Sequence, residues 1–277
     1  MSVKIHAIQT GSVQIKTAQL SRKPGGTFRI LTDRRWTEAL PIFAWVIDHP
    51  EGIIVVDTGD TAQTADPRYF PRWHPYYRTS VRLRVQPDQE MGAQLRRMGI
   101  AQNDVKTVVL THLHTDHAGG LHDFPKSKIL VSGPDYWLAR SFGGRLLGYL
   151  PNRWPVWFEP EPIAFESTRF GSFQQQYRVT RAGDVVIVPT PGHTPGHVSV
   201  LVQSDDLTYF LAGDTSYTEQ LMRDQQPDGV SPNARITRET LSNILAFANT
   251  QPLVYLPTHD PESAARLNEQ RIVATSD

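Results

Sequence analysis

A layered fold that mixes strands and helices along its whole length is what this sequence predicts, and three observations predict it. Short apolar, β-branched runs such as Ile53 to Val56 and Val105 to Leu110 are interspersed with segments of helical period such as Arg238 to Ala248. Four of the apolar runs end in histidine or aspartate, which places potential chemistry in loops on a rigid frame. Of the 277 residues, 39% are hydrophobic and 20% charged, which suits an ample core.

In chain order, Val3 to Ile8 alternates as a half-buried strand does. Residues 17–40, with Pro24-Gly25-Gly26 and Arg34-Arg35-Trp36, read as a long loop or arm. Ile42 to Ile47 and Ile53 to Asp57 are strands joined by the hairpin loop Asp48-His49-Pro50-Glu51-Gly52. Residues 61–88, rich in proline, arginine and aromatics, read as an irregular excursion of the kind that forms lids or binding loops. A short helix follows over 89–98, with Met91, Leu95 and Met98 on one face and Gly99 as its stop.

Val105 to Leu110 is a strand running directly into Thr-His-Leu-His-Thr-Asp-His-Ala-Gly-Gly. Lys128 to Val131 is a strand, and a helix begins near Pro134. The stretch 142–158, with Leu146, Leu147, Tyr149, Trp154 and Trp157, is heavy enough in apolar residues for a pocket wall or packing arm. Asp184 to Val188 leads through Pro-Thr-Pro-Gly to His193, and Val198 to Val202 is a strand. Thr208 to Ala212 leads through Gly213 to Asp214. After the helix at 238–248, Leu253 to Leu256 ends in Pro-Thr-His259-Asp260.

Composition narrows the function. Lysine plus arginine number 28 and aspartate plus glutamate 28, so no global attraction to nucleic acid or an anionic membrane is expected. With no cysteine there is no disulfide, no thiolate catalysis and no cysteine-held zinc or iron–sulfur centre. No run approaches the ~20 apolar residues of a membrane span, and the first 20 residues lack a signal-peptide core, so a cytoplasmic location is expected.

His112, His114, Asp116 and His117 place four potential ligands within six residues. On a strand giving way to a turn, His112 and His114 share a side, and the turn carries Asp116 and His117 toward a second point. Imidazole and carboxylate suit divalent metals, zinc first, with iron, manganese or cobalt as alternatives. His193 and His259 each follow a strand and a proline-bearing turn. Asp214 follows an apolar strand, where a buried carboxylate is costly unless paired or metal-bound. Five histidines and two aspartates exceed the needs of one four-coordinate ion and suit two. The expected division is His112, His114 and His193 for one ion, Asp116, His117 and His259 for the other, and Asp214 as the bridge. Isolated His6, His49, His74 and His122 read as ordinary structural or surface residues, and neither Ser199 nor Ser216 has the context of a nucleophile.

The runs HLHTDHAGG and PTPGHTPGH, the strand-end Asp214 and the late THD resemble the metallo-β-lactamase superfamily, from IIVVDTG at 53–59 through His259. The resemblance implies an α+β, αββα sandwich of two mixed sheets flanked by helices, in one domain over 1–277 with the excursions at 17–40, 61–88 and 142–158. It implies Asp57 as a buried residue behind the ligands and His197 as structural. Within the superfamily, Asp214-Thr215-Ser216-Tyr217 is similar to the N-acyl homoserine lactone hydrolases, the quorum-quenching lactonases, in which a tyrosine three residues after the bridging aspartate reaches the substrate. The family resemblance therefore implies that a metal-bridging hydroxide opens the lactone ring, with Tyr217 and Asp116 as catalytic residues and Asp116 doubling as proton carrier. An esterase, phosphotriesterase or thioesterase of the same superfamily is the alternative. The implied partner is a small lactone with an acyl chain, and the family's habit implies a homodimer. Trp36, Phe43, Phe70, Trp73, Phe142 and Leu146 are the candidates for the acyl groove.

Overall fold

The computed structural model describes residues 3–274. The expected domain of 1–277 therefore includes two short ends, 1–2 and 275–277, that lie outside the described residues. Among the described residues, twelve strands form two sheets. The first contains β1 (Lys4–Ile15), β2 (Leu40–Asp48), β3 (Ile53–Val56), β4 (Val81–Arg84), β5 (Val105–Val109), β6 (Lys128–Val131) and β7 (Glu161–Pro162), ordered β4-β1-β2-β3-β5-β6-β7. The second contains β8 (Tyr177–Arg178), β9 (Val185–Pro189), β10 (Val198–Ser204), β11 (Leu207–Gly213) and β12 (Leu253–Pro257), ordered β12-β11-β10-β9-β8. Both sheets are mixed: β3, β5, β6 and β7 run parallel, as do β11 and β12, and the remaining pairs are antiparallel.

The two-residue period of the strands builds the layers. On β2, Trp45 and Ile47 point between the sheets, where they meet Ile187, Val200, Leu211 and Val254, while Ala44 and Val46 point outward. On the outer side Val46 packs with Met91, Leu95, Leu121 and Phe124 beneath the helix Met91–Arg97. The outward residues of the second sheet, among them Val186, Leu201, Phe210 and Tyr255, are covered by Leu241, Ile244 and Phe247 of the helix Ala234–Ala248. Three apolar layers thus separate helix, sheet, sheet and helix, as the αββα expectation requires.

Apart from β1, the expected strands and principal helices form within a few residues of their anticipated limits. The three excursions are better ordered than the sequence reading allowed. Residues 17–40 contain the helical turns Thr17–Leu20 and Gly26–Thr32. Residues 61–88 contain the helix Pro75–Thr79 and β4, whose Val-Arg-Leu-Arg alternation is a strand signal four residues long. β4 pairs with the second half of β1, which continues past the predicted Ile8 to Ile15. Residues 142–158 begin with the helix Phe142–Leu146. Pairing and packing by distant segments decide these pieces, and each is too short to stand on its own propensity.

The N-terminal arm is fastened at Asp33, whose Oδ2 accepts from the Thr17 hydroxyl at 2.8 Å and the Ala18 N–H at 2.9 Å, and whose Oδ1 accepts from the Arg35 N–H at 3.2 Å. Burial pushes this carboxyl up, but the donors from Thr17, Arg35 and Ala18 more than offset it and hold it at about 2, against an ordinary 3.8. A depressed carboxylate stabilises the fold fully above its unfolded pKa and loses that contribution as pH falls through its folded one. Asp33→Asn should therefore cost about 1 kcal/mol at pH 7. The gap between wild type and variant in urea midpoint should narrow at pH 3; a gap independent of pH would contradict this role.

Candidate metal centre

Five loops converge where the strands of both sheets end. Asp57 follows β3, His112 to His117 follow β5, His193 follows β9, Asp214 follows β11 and His259 follows β12. The segment after β5 closes into a single helical turn, Thr115–Ala118, which carries Asp116 and His117 away from the extended His112 and His114. That turn fits because Gly120 lies against the backbone of Thr58, where a β-carbon would collide with the Thr58 carbonyl oxygen.

All seven predicted side chains are brought together. Donor atoms of His112, His114 and His193 form one group, those of Asp116, His117 and His259 a second, and those of His112, His117 and Asp214 a third, each within 4.8 Å. His114 Nδ1 stands 3.0 Å from His112 Nε2 and 3.1 Å from His193 Nε2. Asp214 lies between the groups: Oδ1 is 3.3 Å from His117 Nε2 and 3.4 Å from His259 Nε2, and Oδ2 is 3.4 Å from His193 Nε2. Asp116 Oδ2 is 3.5 Å from His259 Nε2. Four donors placed tetrahedrally around an ion at about 2.0–2.1 Å lie roughly 3.3 Å apart, so these spacings match donors sharing a cation.

The polar bookkeeping supports the same fit. His117 Nε2 and Asp214 Oδ1 are buried, face one another, and make no aligned hydrogen bond. Such orphaned atoms are costly in a dry interior and are satisfied by metal coordination. Electrostatics agree. Burial opposes a proton on each imidazole, yet Asp214, Asp57 and Asp116 raise His117 well above its ordinary value, and Asp228 and Asp214 raise His193. Asp214 raises His259 as well. His112 and His114, farther from compensating carboxylates, are pushed down by burial first and neighbouring imidazoles second, His114 to about 3. The cage is built to hold positive charge, with neutral imidazoles on one side.

Behind the donors, four of the five imidazoles, those of His112, His117, His193 and His259, have the outer nitrogen occupied, as metal-ligating histidines generally do. His117 Nδ1 donates to Asp57 Oδ2 at 2.8 Å, His193 Nδ1 to Asp228 Oδ2 at 3.0 Å, and His259 Nδ1 to the Pro41 carbonyl at 2.8 Å. His112 Nδ1 meets the Thr111 hydroxyl at 3.2 Å, and that hydroxyl donates to Asp57. Asp57 takes a left-handed backbone, φ 59°, a conformation aspartate tolerates better than most residues. Its Oδ1 also accepts the Thr111 N–H at 2.8 Å. Asp135 accepts from the Leu113 N–H and from the Tyr149 hydroxyl, and the Tyr149 ring packs 4.8 Å from that of His114.

His197 joins this outer layer. Its Nε2 accepts the Asp214 N–H at 3.0 Å, so its other nitrogen carries the proton and donates to Thr190 at 2.9 Å. Burial, then the charge of His193, pulls it to about 3, which keeps it neutral. Gly213, at φ +57°, sits against its ring; a β-carbon there would be 2.6 Å from Nε2. His49, by contrast, bonds Asp184 at a distant turn, and His122 bonds the Arg153 carbonyl. Ser199 and Ser216 are engaged in structural hydrogen bonds.

The centre opens into a cleft with a cavity volume of about 120 Å³. Its walls are Val13, Ile15, Val81, Leu83, Leu138, Leu146 and Leu147, with Tyr76, Tyr77 and Tyr149. Of the six groove candidates, only Leu146 is in the wall. Trp36 is sandwiched by Lys16 and Arg82, Phe43 is buried between the sheets, and Phe70 stacks on Tyr77 behind the wall. Trp73 and Phe142 face solvent at 57% and 77% exposure. Much of the wall comes instead from β1 and β4, and on β4 the apolar residues alternate with the conspicuous Arg82 and Arg84. Asp228, Asp135 and Gln19 were also missed, while Tyr76 comes from the 61–88 excursion expected to form a lid or binding loop; Asp228 lies in a Pro-Asp-Gly turn whose sequence announces only a turn.

An αββα sandwich with two His/Asp clusters at its strand ends defines a metal-dependent hydrolase with a two-ion centre. The chain belongs to the metallo-β-lactamase superfamily, whose family model matches residues 37–259. It is 25% identical over 272 residues to the N-acyl homoserine lactonase AttM of Rhizobium radiobacter, covering 96% of this chain and 97% of that protein. It matches an N-acyl homoserine lactone hydrolase solved with the product N-hexanoyl-L-homoserine at its catalytic metal centre, with TM-score 0.75, 20% identity and 98% of both chains covered. The dizinc quorum-quenching lactonase AidC matches with TM-score 0.63 and 14% identity, over 94% of this chain and 88% of AidC. These two structures share the fold.

Two outcomes follow for metal binding. Metal analysis should return about two divalent ions per chain, and Asp214→Ala should lower occupancy and activity together; one ion or fewer after full loading would defeat the two-ion centre. Asp228→Ala, which frees the outer nitrogen of His193, should weaken metal affinity by roughly 10- to 100-fold in a chelator competition. Unchanged affinity would remove Asp228 from the centre.

Proposed function

We propose that this protein opens the ring of N-acyl homoserine lactones, with His112, His114 and His193 holding one ion, Asp116, His117 and His259 the other, and Asp214 bridging. The observation that carries this reading is the cleft: apolar along its walls, ending on the donor cage, and with no lysine or arginine among the described residues that line it. An uncharged ester bearing an aliphatic chain fits such walls. A phosphodiester, or a thioester carrying free carboxylates, would find no lysine or arginine along those walls to pair its extra charge. The similarity to AttM over nearly the full length supports the same substrate class.

Bound divalent ions supply carbonyl polarisation and a water of lowered pKa, which makes an organic cofactor unnecessary. The chain's own residues supply the rest. Water oxygen adds to the carbonyl carbon, the ring C–O bond breaks, and the product is a γ-hydroxy carboxylate. Asp116 faces the cleft, its side chain 18% exposed. It takes the proton released by the water and hands it to the departing alkoxide oxygen. Tyr217 lines the cleft beside Asp214, its ring stacked 5.6 Å from that of His259. Burial first, and the Asp214 and Asp228 carboxylates next, raise its phenol well above the ordinary value, so it keeps its proton and acts as a donor to substrate oxygen.

Turnover of short- and long-chain acyl homoserine lactones should exceed that of an aryl ester, a thioester and a phosphotriester in kcat/KM. Lactones ranking last by a wide margin would move the assignment to another ester. Asp116→Asn should lower kcat on the order of 100-fold or more; a variant with full metal content and wild-type kcat would deprive Asp116 of its proton-carrying role.

A further inference from the structure

We infer that Gln19, on the N-terminal arm, is a positioning residue that aims the Tyr217 hydroxyl proton at the substrate, an inference resting on the role just proposed for Tyr217. Gln19 is 4% exposed and lines the same cleft as Asp116, Asp214 and His259. Its amide Nε2 donates to the Tyr217 oxygen at 2.8 Å, and its Oε1 accepts the Tyr76 hydroxyl at 3.0 Å. A phenol has one proton to give and lone pairs to receive. Tyr76 spends its proton on Gln19. Tyr217 receives an N–H from Gln19 and makes no other hydrogen bond among the described residues, so its own proton is left for a ligand in the cleft. The three side chains form a relay with one direction, Tyr76 to Gln19 to Tyr217, whose open end is a donor.

The backbone keeps the amide in place. The Gln19 N–H donates to the Lys16 carbonyl, and its carbonyl accepts the Gly229 N–H, each at 2.8 Å. Gly229 follows Asp228, the partner of His193, so one contact ties the relay to the loop that orients the donor cage. Held at two points, the amide fixes the phenol's oxygen and leaves its O–H bond a narrow arc in which to turn. Preorganised donors of this kind act without reorganisation when charge develops on the substrate.

A double-mutant cycle tests the relay on whichever of a lactone, an aryl ester or a phosphotriester the wild type hydrolyses best. Tyr217→Phe should lower kcat on the order of 10- to 100-fold with little change in KM, less than a sole oxyanion donor would because the metal centre shares the charge. Gln19→Leu should lower kcat by part of that factor, and the double variant should match Tyr217→Phe alone. Gln19→Glu, which presents only acceptors, should capture the phenol proton and reproduce the full Tyr217→Phe loss, with metal content unchanged. Overturning results are equal losses from Gln19→Leu in both backgrounds, which mark a merely structural glutamine, and wild-type kcat in Gln19→Glu while Tyr217→Phe is impaired. A wild type that prefers a non-lactone overturns the substrate assignment and leaves the cycle able to judge the relay.

Discussion

Seven polar side chains, five of them buried, meet where two sheets end, and the cost of burying them is the constraint around which the rest of the molecule is arranged. A buried imidazole must point one nitrogen at a purpose and give the other a partner. The structure meets that demand with groups from separate segments: Asp57 after β3, Thr111 after β5, Asp228 in a turn and a carbonyl from the start of β2. Asp214 bears the heaviest demand, since its carboxylate contacts three imidazoles while its backbone N–H is received by His197. From His197 the chain runs through Thr190 and Ser199 to the carbonyl of Ala212 on the strand that delivers Asp214. The support closes on itself.

The sheets explain why such a cage can be rigid. Side chains of β2, β9, β10, β11 and β12 interlock in the layer between the sheets, so the loops at the strand ends have little freedom to separate. Chemistry placed at the edge of that layer inherits its stiffness, which a centre needing donors within a fraction of an ångström requires. The cleft wall is assembled differently. It draws on β1 and β4, on the segment around Leu146 to Tyr149, and on the N-terminal arm, which Asp33 fastens and which is bonded to residues 227 and 229. Metal centre and substrate wall therefore draw on different segments, joined where Tyr149 packs on His114 and where the Gly229 N–H meets the Gln19 carbonyl.

Much of this was legible before any coordinates. The His112–His117 cluster is so dense in one kind of ligand that a metal is the economical explanation, and the strand-end positions of His193, Asp214 and His259 repeat one architectural theme. Less visible were the residues that serve others. Asp228, Asp135 and Gln19 carry no local pattern, because their work is done across separations of 35, 22 and 198 residues respectively. The aromatic residues were misleading for the opposite reason: size makes Trp73 and Phe142 conspicuous, but single exposed apolar residues are ordinary on a folded surface.

What the sequence by itself determined is the kind of chemistry and the alternation of layers. Ligand type is a property of side chains, and two-residue and helical periods are properties of a local backbone. What only the tertiary structure decided is which donors meet, which group completes each one, and which surface faces the substrate. Those depend on strand register and loop closure between segments up to 218 residues apart, such as His259 and Pro41. No local run of residues encodes such a meeting, because it is fixed by the packing of the sheets as a whole.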